Sequence, residues 1–190
     1  DAVALITDIC PEVDITRVPY HEPEDIRAMR RSARGDELAN YPVPPELAEA
    51  LWHAEVIVSL DLPTNVVGLS PKLRWVQNIG AGIEQYSEGS ATGVWESDVV
   101  LTNMGGFNSR AIGEYVLGMI IVFAKGLRGY VVNMQDHLWQ RSRSTMIGGQ
   151  TVGIIGLGRI GSEVAKLCKA VDMRVLASKR TLSDSPPYVD

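Results

Sequence analysis

Three glycines, Gly156, Gly158 and Gly161, stand in the pattern G-x-G-x-x-G within the stretch TVGIIGLGRIGSEVAKLCKAVDMRVLASKRT. Residues 152–155 before them are a run of strand formers. After them Ile160, Val164, Leu167, Cys168 and Val171 recur at helical spacing, and residues 174–177 form a second strand-forming run. A bare three-glycine match is weak. Set between a strand and a helix inside a β-α-β unit, it becomes informative. Each glycine has a physical task there. Gly156 lets the chain turn sharply off the strand, and Gly158, lacking a Cβ, lets a pyrophosphate approach the backbone. Gly161 allows the helix to pack closely on the sheet. The N–H groups at the helix start, around Arg159 and Ile160, point at such an anion, and the helix dipole favours negative charge in the same place. The competing reading, a strand-to-helix turn that binds nothing, has the intact context against it.

The end of the second strand bears on which dinucleotide would bind. A ribose with a free 2′-hydroxyl is usually held by a carboxylate about 20 residues past the glycines. This sequence has Ser178-Lys179-Arg180-Thr181 in that neighbourhood and no acid. A hydroxyl and two cations attract a 2′-phosphate through charge-assisted hydrogen bonds, where a carboxylate would repel it. The cluster predicts NADP rather than NAD. Ser178, Lys179 and Arg180 then join Gly156, Gly158, Arg159, Ile160 and Gly161 as cofactor-binding residues. The alternative is a solvated basic strand end that accepts NAD as well.

Gly80-Ala81-Gly82 poses the same question earlier in the chain, in NIGAGIEQY. A strand-forming run ends in this turn, and successive N–H groups in such a turn make a concave anion site into which a substrate carboxylate would fit. From these residues alone a tight connector is the favoured reading. His21, His53 and His137 pair with no carboxylate in a recognisable pattern and read as structural or surface residues. No catalytic residue and no metal ligand can be assigned. Cys10 and Cys168 lie far apart, in no metal-ligand spacing. Both read as small buried hydrophobes in a reducing cytosol.

Strands alternating with helical segments must position these groups, which argues for a parallel α/β architecture. Strands are expected at residues 2–7, 55–60 and 73–79, and in a run ending at Asn103. A charged helix is expected at 24–34 and another from Pro45. A long helix is expected over 108–125, with Ala111, Ile112, Tyr115, Val116, Met119, Ile120 and Phe123 along one face. Gly113 and Gly118 inside it predict close packing against another backbone. The mixed-polarity stretch after it reads as an arm or connector. The 190 residues carry a net charge of −5, with 45% hydrophobic and 22% charged residues. That balance is ordinary for a globular protein and gives no broad pull on nucleic acid or anionic membrane. No basic-then-apolar leader is visible. The apolar run at 116–124 is interrupted by Gly118 and too short to span a bilayer. The expectation is a cytoplasmic protein with neither nucleic acid nor membrane as partner.

Three blocks, LRWVQNIGAGIE, VLTNMGGFNSRAIGEYVLGMII and W…GGQTVGIIGLGRIGSEVAKL…MRVLASKRT, resemble the D-2-hydroxyacid dehydrogenase family in content, order and spacing. The likeness is specific over residues 71–181 and only architectural before that. It implies an α/β chain with a flavodoxin-like substrate domain, here 1–103. The first half of a Rossmann dinucleotide-binding domain would follow at 104–190. A cleft between them would close on cofactor and substrate. In such enzymes the loop matching Ile79, Gly80, Ala81 and Gly82 offers N–H groups to the substrate carboxylate, which reverses the reading of that turn. Asn108 and Glu114 match the family's N…E helix motif near the hinge, while Gly113 stands where alanine is more usual. A homodimer through the Rossmann domain and its arm, here 128–150, is implied as well.

The resemblance implies an oxidoreductase passing hydride between NAD(P)H and a small 2-oxo acid or D-2-hydroxy acid. The family's histidine, its carboxylate partner and its substrate-gripping arginine all lie downstream of the second Rossmann strand. The expectation is that the chain belongs to a longer protein and would be poorly stable and inactive alone. One alternative is a dinucleotide-sensing, corepressor-like binding module of the same fold. Another is an enzyme of the same kind acting on formate or phosphonate. Leu60, Trp75 and Met104 are open to two readings, pocket wall or core.

Overall fold

The structure is a computed structural model that describes residues 2–26, 42–86, 91–181 and 184–190. The chain divides into two compact units, Asp1–Gly105 and Gly106–Asp190.

In the first unit, helices α1 (Ala2–Ile9), α2 (Pro45–His53) and α3 (Val66–Leu69) accompany strands β1 (Val56–Ser59), β2 (Trp75–Asn78) and β3 (Val100–Asn103). The strands form a parallel sheet in the order β1-β2-β3. Its register pairs Val56 with Trp75 and Trp75 with Val100. α2 starts as expected: Pro45, whose missing N–H costs nothing in a first turn, opens it. Leu47 and Leu51, four residues apart, are its buried face. They join Leu62, Val66, Leu73, Val76, Tyr86 and Val94 in one core. The expected charged helix is seen at residues 24–26, and the rest of that stretch lies outside the described residues.

The strand expected at 2–7 is a helix instead. Ala2, Ala4 and Leu5 are good helix formers. The Thr7 hydroxyl donates to the carbonyl of Val3, one turn back, at 3.0 Å. No strand of the described residues pairs with this segment, so nothing supplies the ladder that the β-branched residues alone suggested.

The second unit holds α4 (Ser109–Lys125), α5 (Leu127–Gln135), β4 (Thr151–Ile155), α6 (Arg159–Ala170) and β5 (Arg174–Ser178). β4 and β5 pair in parallel, from Thr151 with Arg174 to Ile155 with Ser178. α6 is the crossover between them. Its Val164, Ala165 and Cys168 pack with Met173 and Val175, and Val116 and Ile120 of α4 lie against this core. α4 ends at Gly126, whose φ of +63° is a left-handed conformation suited to glycine. α5 departs from there at 68°. Among the described residues no single helix is long and apolar enough to cross a membrane.

The two glycines of α4 part ways. Gly113 is buried, and a Cβ there would sit 3.2 Å from Glu163 Cβ and 3.4 Å from the Glu163 carbonyl carbon. The expected close approach to another backbone is present at that position. Gly118 is exposed with nothing within 4 Å, so the same expectation fails for it. The apolar stripe of α4 is also only half used: Tyr115 and Phe123 are 68% and 80% exposed.

Candidate functional site

The glycine turn in the second unit is built by the end of β5. The N–H groups of Gly156 and Leu157 both donate to the Ser178 carbonyl, each at 3.0 Å. These two hydrogen bonds tie the strand end at Ser178, and Lys179 and Arg180 that follow it, to the turn itself. Gly156 has a φ of +94°, which a side chain would resist. A Cβ on Gly158 would meet nothing within 4 Å, so its open side faces free space. A Cβ on Gly161 would overlap the Gly156 carbonyl oxygen and crowd Ile154. The third glycine thus lets the helix start fold back onto the end of β4.

α6 begins without a side-chain cap at Gly158. Among the described residues, the N–H groups of Gly158, Ile160 and Gly161 meet no acceptor. A capping serine or aspartate would have satisfied such donors internally. Here they stay available beside a glycine with no Cβ, where the helix dipole is positive. The residues present therefore fit a dinucleotide pyrophosphate. The Arg159 stem packs across Gly106. Ser178, Lys179 and Arg180 are exposed, and neither cation meets a carboxylate among the described residues.

The site shares its helix with an ion-pair cluster. Glu163 accepts from Lys166 at 2.5 Å and lies 3.6 Å from Arg110 of α4. The Lys166 hydrogen bond holds the Glu163 carboxyl below its ordinary value, and Glu163 in turn raises the Lys166 ammonium. Burial pushes the Cys168 thiol up, which makes it a packing residue and not a nucleophile. Cys10, expected buried, is only half-buried, because the helix it follows lies open. Both cysteines are free.

In the first unit Ile79, Gly80, Ala81 and Gly82 follow β2 directly. The Ile79 N–H donates to Ser59 and the Gly80 N–H to Asn78 Oδ1, at 3.1 and 3.0 Å. All three following carbonyls are occupied. Gly80 accepts from the Met104 N–H at 3.0 Å, Ala81 from Asn103 Nδ2 at 2.8 Å, and Gly82 from Asn78 Nδ2 at 2.5 Å. Among the described residues the N–H groups of Ala81 and Gly82 meet no acceptor. The turn hides its acceptors and leaves two donors, the polarity an anion requires. The Glu84 carboxylate lies where a Cβ on Gly82 would point.

The structure brings the predicted residues together in these two groups. Leu60 and Trp75 are not core: they are 47% and 41% exposed, and Leu60 leans on Gly80. Asn108 precedes α4 without capping it, and Glu114 pairs with Arg110 at 2.9 Å. The three histidines are exposed, and none pairs with a carboxylate among the described residues. No cluster of three potential metal-ligating side chains exists among those residues either. Asn78 and Asn103 escaped the sequence reading, although each stands at a strand end just before a glycine-containing turn.

Comparison with known proteins agrees with this geometry. Residues 117–188 match the family described as D-isomer specific 2-hydroxyacid dehydrogenase, NAD binding domain. D-3-phosphoglycerate dehydrogenase of Archaeoglobus fulgidus is 28% identical over 81% of this chain and 30% of its own length. The enzyme of that name from Mycobacterium bovis is 31% identical over 77% of the chain and 29% of its own length. A solved D-isomer specific 2-hydroxyacid dehydrogenase family protein from Aeromonas salmonicida subsp. salmonicida superposes with a TM-score of 0.69 at 22% identity. That match covers 88% of this chain and 54% of the solved one, and speaks to the fold. The second unit is thus similar to the NAD-binding domain of that family. The chain spans between 21% and 30% of the length of the curated relatives it matches.

Proposed function

We propose that the protein is an NADP-preferring oxidoreductase that transfers hydride between NADPH and a small 2-oxo acid, giving the D-2-hydroxy acid. The first unit would serve as substrate domain and the second as cofactor domain. The observation that carries the proposal is the glycine turn, with uncapped helix amides at Gly158, Ile160 and Gly161 latched to a basic strand end. Those amides would hold the pyrophosphate. Ser178, Lys179 and Arg180 would hold a 2′-phosphate, with no carboxylate at the strand end to oppose it. A bound nicotinamide supplies the hydride.

The Ala81 and Gly82 N–H groups would hold the substrate carboxylate and so orient the 2-oxo carbon, which is the part of catalysis that positioning contributes. Reduction of the carbonyl consumes one proton as well as the hydride. No histidine–carboxylate pair among the described residues is arranged to give it. Two free cysteines suit a reducing, cytoplasmic setting. A homodimer through the second unit would cover Phe123 and Met146, which flank an apolar groove of about 570 Å³ along α4.

The test is turnover by the full-length protein. Glyoxylate, hydroxypyruvate and other short 2-oxo acids should oxidise NADPH, seen as loss of absorbance of the reduced nicotinamide. Tight NADPH binding with no turnover of any of them would favour the cofactor-sensing module instead.

A further inference from the structure

Asn78 and Asn103 are register partners, the last residues of neighbouring parallel strands β2 and β3. Both side chains turn onto the same loop. Asn78 is wholly buried and spans it, its Nδ2 donating to the Gly82 carbonyl while its Oδ1 accepts from the Gly80 N–H. Its orientation is fixed from behind by Tyr86, also wholly buried. The Tyr86 hydroxyl donates to the Leu60 carbonyl at 2.9 Å and lies 3.4 Å from Asn78 Oδ1. Asn103 engages the one carbonyl between, that of Ala81, and its own Oδ1 accepts from the Gly105 N–H at 3.1 Å.

A peptide group that shows its carbonyl to one side shows its N–H to the other. The Ala81 carbonyl held by Asn103 belongs to the peptide that carries the Gly82 N–H, and the Gly80 carbonyl held by the Met104 N–H belongs to the one that carries the Ala81 N–H, while Asn78 grips the flanking Gly80 N–H and Gly82 carbonyl. Neither asparagine needs to touch the ligand to do this. Only a side chain with a donor and an acceptor on one short planar head can bridge Gly80 and Gly82 as Asn78 does.

Resting on the functional reading above, we infer that Asn78 and Asn103 are positioning residues: Asn78 clamps the two ends of the turn, and Asn103 holds the peptide whose Gly82 N–H is aimed at the substrate carboxylate. Tyr86 locks the first of them. Asn103→Ala is the cleaner probe, since Asn103 is exposed and its loss threatens the fold least. In the full-length protein this variant should raise both KM for glyoxylate and Ki for the carboxylate inhibitor oxamate about tenfold, the scale of one lost hydrogen bond on a preorganised site. The kcat should stay within about twofold and the Kd for NADPH should not move. Asn78→Asp, which keeps the volume but turns the Gly82-facing donor into an acceptor, should shift the same two constants in the same direction. Unchanged KM and Ki in Asn103→Ala would overturn the inference, as would a rise matched by an equal rise in NADPH Kd. If the unaltered protein turns over no 2-oxo acid, the functional reading fails. Calorimetric titration of oxamate into the NADPH complex then separates the two: weaker binding by Asn103→Ala than by the unaltered protein supports the positioning role, and equal or absent binding overturns it.

Discussion

At the scale of single residues, what a ligand can bind is set by the backbone and side-chain groups that the fold leaves without partners. Among the described residues the amides of Gly158, Ile160 and Gly161 are open, and Lys179 and Arg180 meet no carboxylate. An exposed guanidinium adds little to folding but forms strong charge-assisted bonds to a phosphate. Arg180→Ala should therefore weaken NADPH binding about tenfold or more while leaving NADH binding within about twofold. Fluorescence titration with each nucleotide reads this, and an equal loss for both would remove Arg180 from the 2′-phosphate site. Glycines and charged residues with a local task were legible in the sequence because their chemistry depends on near neighbours. Asn78 and Asn103 were not, since their partnership exists only through strand register, 25 residues apart in the chain. Two asparagines each ending a strand-forming run before a glycine turn were the available signal.

Elements were legible where local pattern and tertiary demand agree. The runs VIVS and TVGII are strands, and α6 follows its glycines directly. Residues 2–7 mislead because β-branched residues fit a strand only where a neighbour offers a ladder. The two glycines of α4 look alike in sequence and differ in surroundings. Gly118→Ala fills open space in a helix interior and should stabilise the protein by about 0.5–1 kcal/mol. Gly113→Ala must push Glu163 and Leu167, each 3.2 Å from the new Cβ, and should fall short of that gain by about 1 kcal/mol. Urea melts of the two variants compare them.

The contact of α4 with α6 also carries a pH signature. Glu163 has a lowered folded pKa, so its contribution is present above its ordinary 4.5 and disappears as pH falls through the lower folded value. Lys166 has a raised one, so its contribution is present below 10.5 and is lost as pH rises through the folded value. Melting temperatures of the protein and of Glu163→Gln should differ between about pH 5 and pH 10 and converge on the acid side. A constant difference down to pH 2 would contradict the ion-pair assignment.

For the whole molecule, the parallel pairing in both sheets follows from the alternation of strands and helices that the sequence already displays. Much apolar surface stays open, including Ile155 at 97% and Trp139 at 90% exposure, more than single scattered hydrophobes account for. Sequence patterning identified Phe123 and Tyr115 as apolar-face residues but had no means of telling a covered stripe from an open one, because cover depends on what packs there and not on spacing. The most direct test is a crystal structure of the full-length protein grown with NADP. An NADP site at the glycine turn requires the pyrophosphate on the amides of Gly158, Ile160 and Gly161, with the 2′-phosphate against Ser178, Lys179 and Arg180. A nucleotide bound elsewhere, or a 2′-phosphate turned away from that strand end, would contradict it.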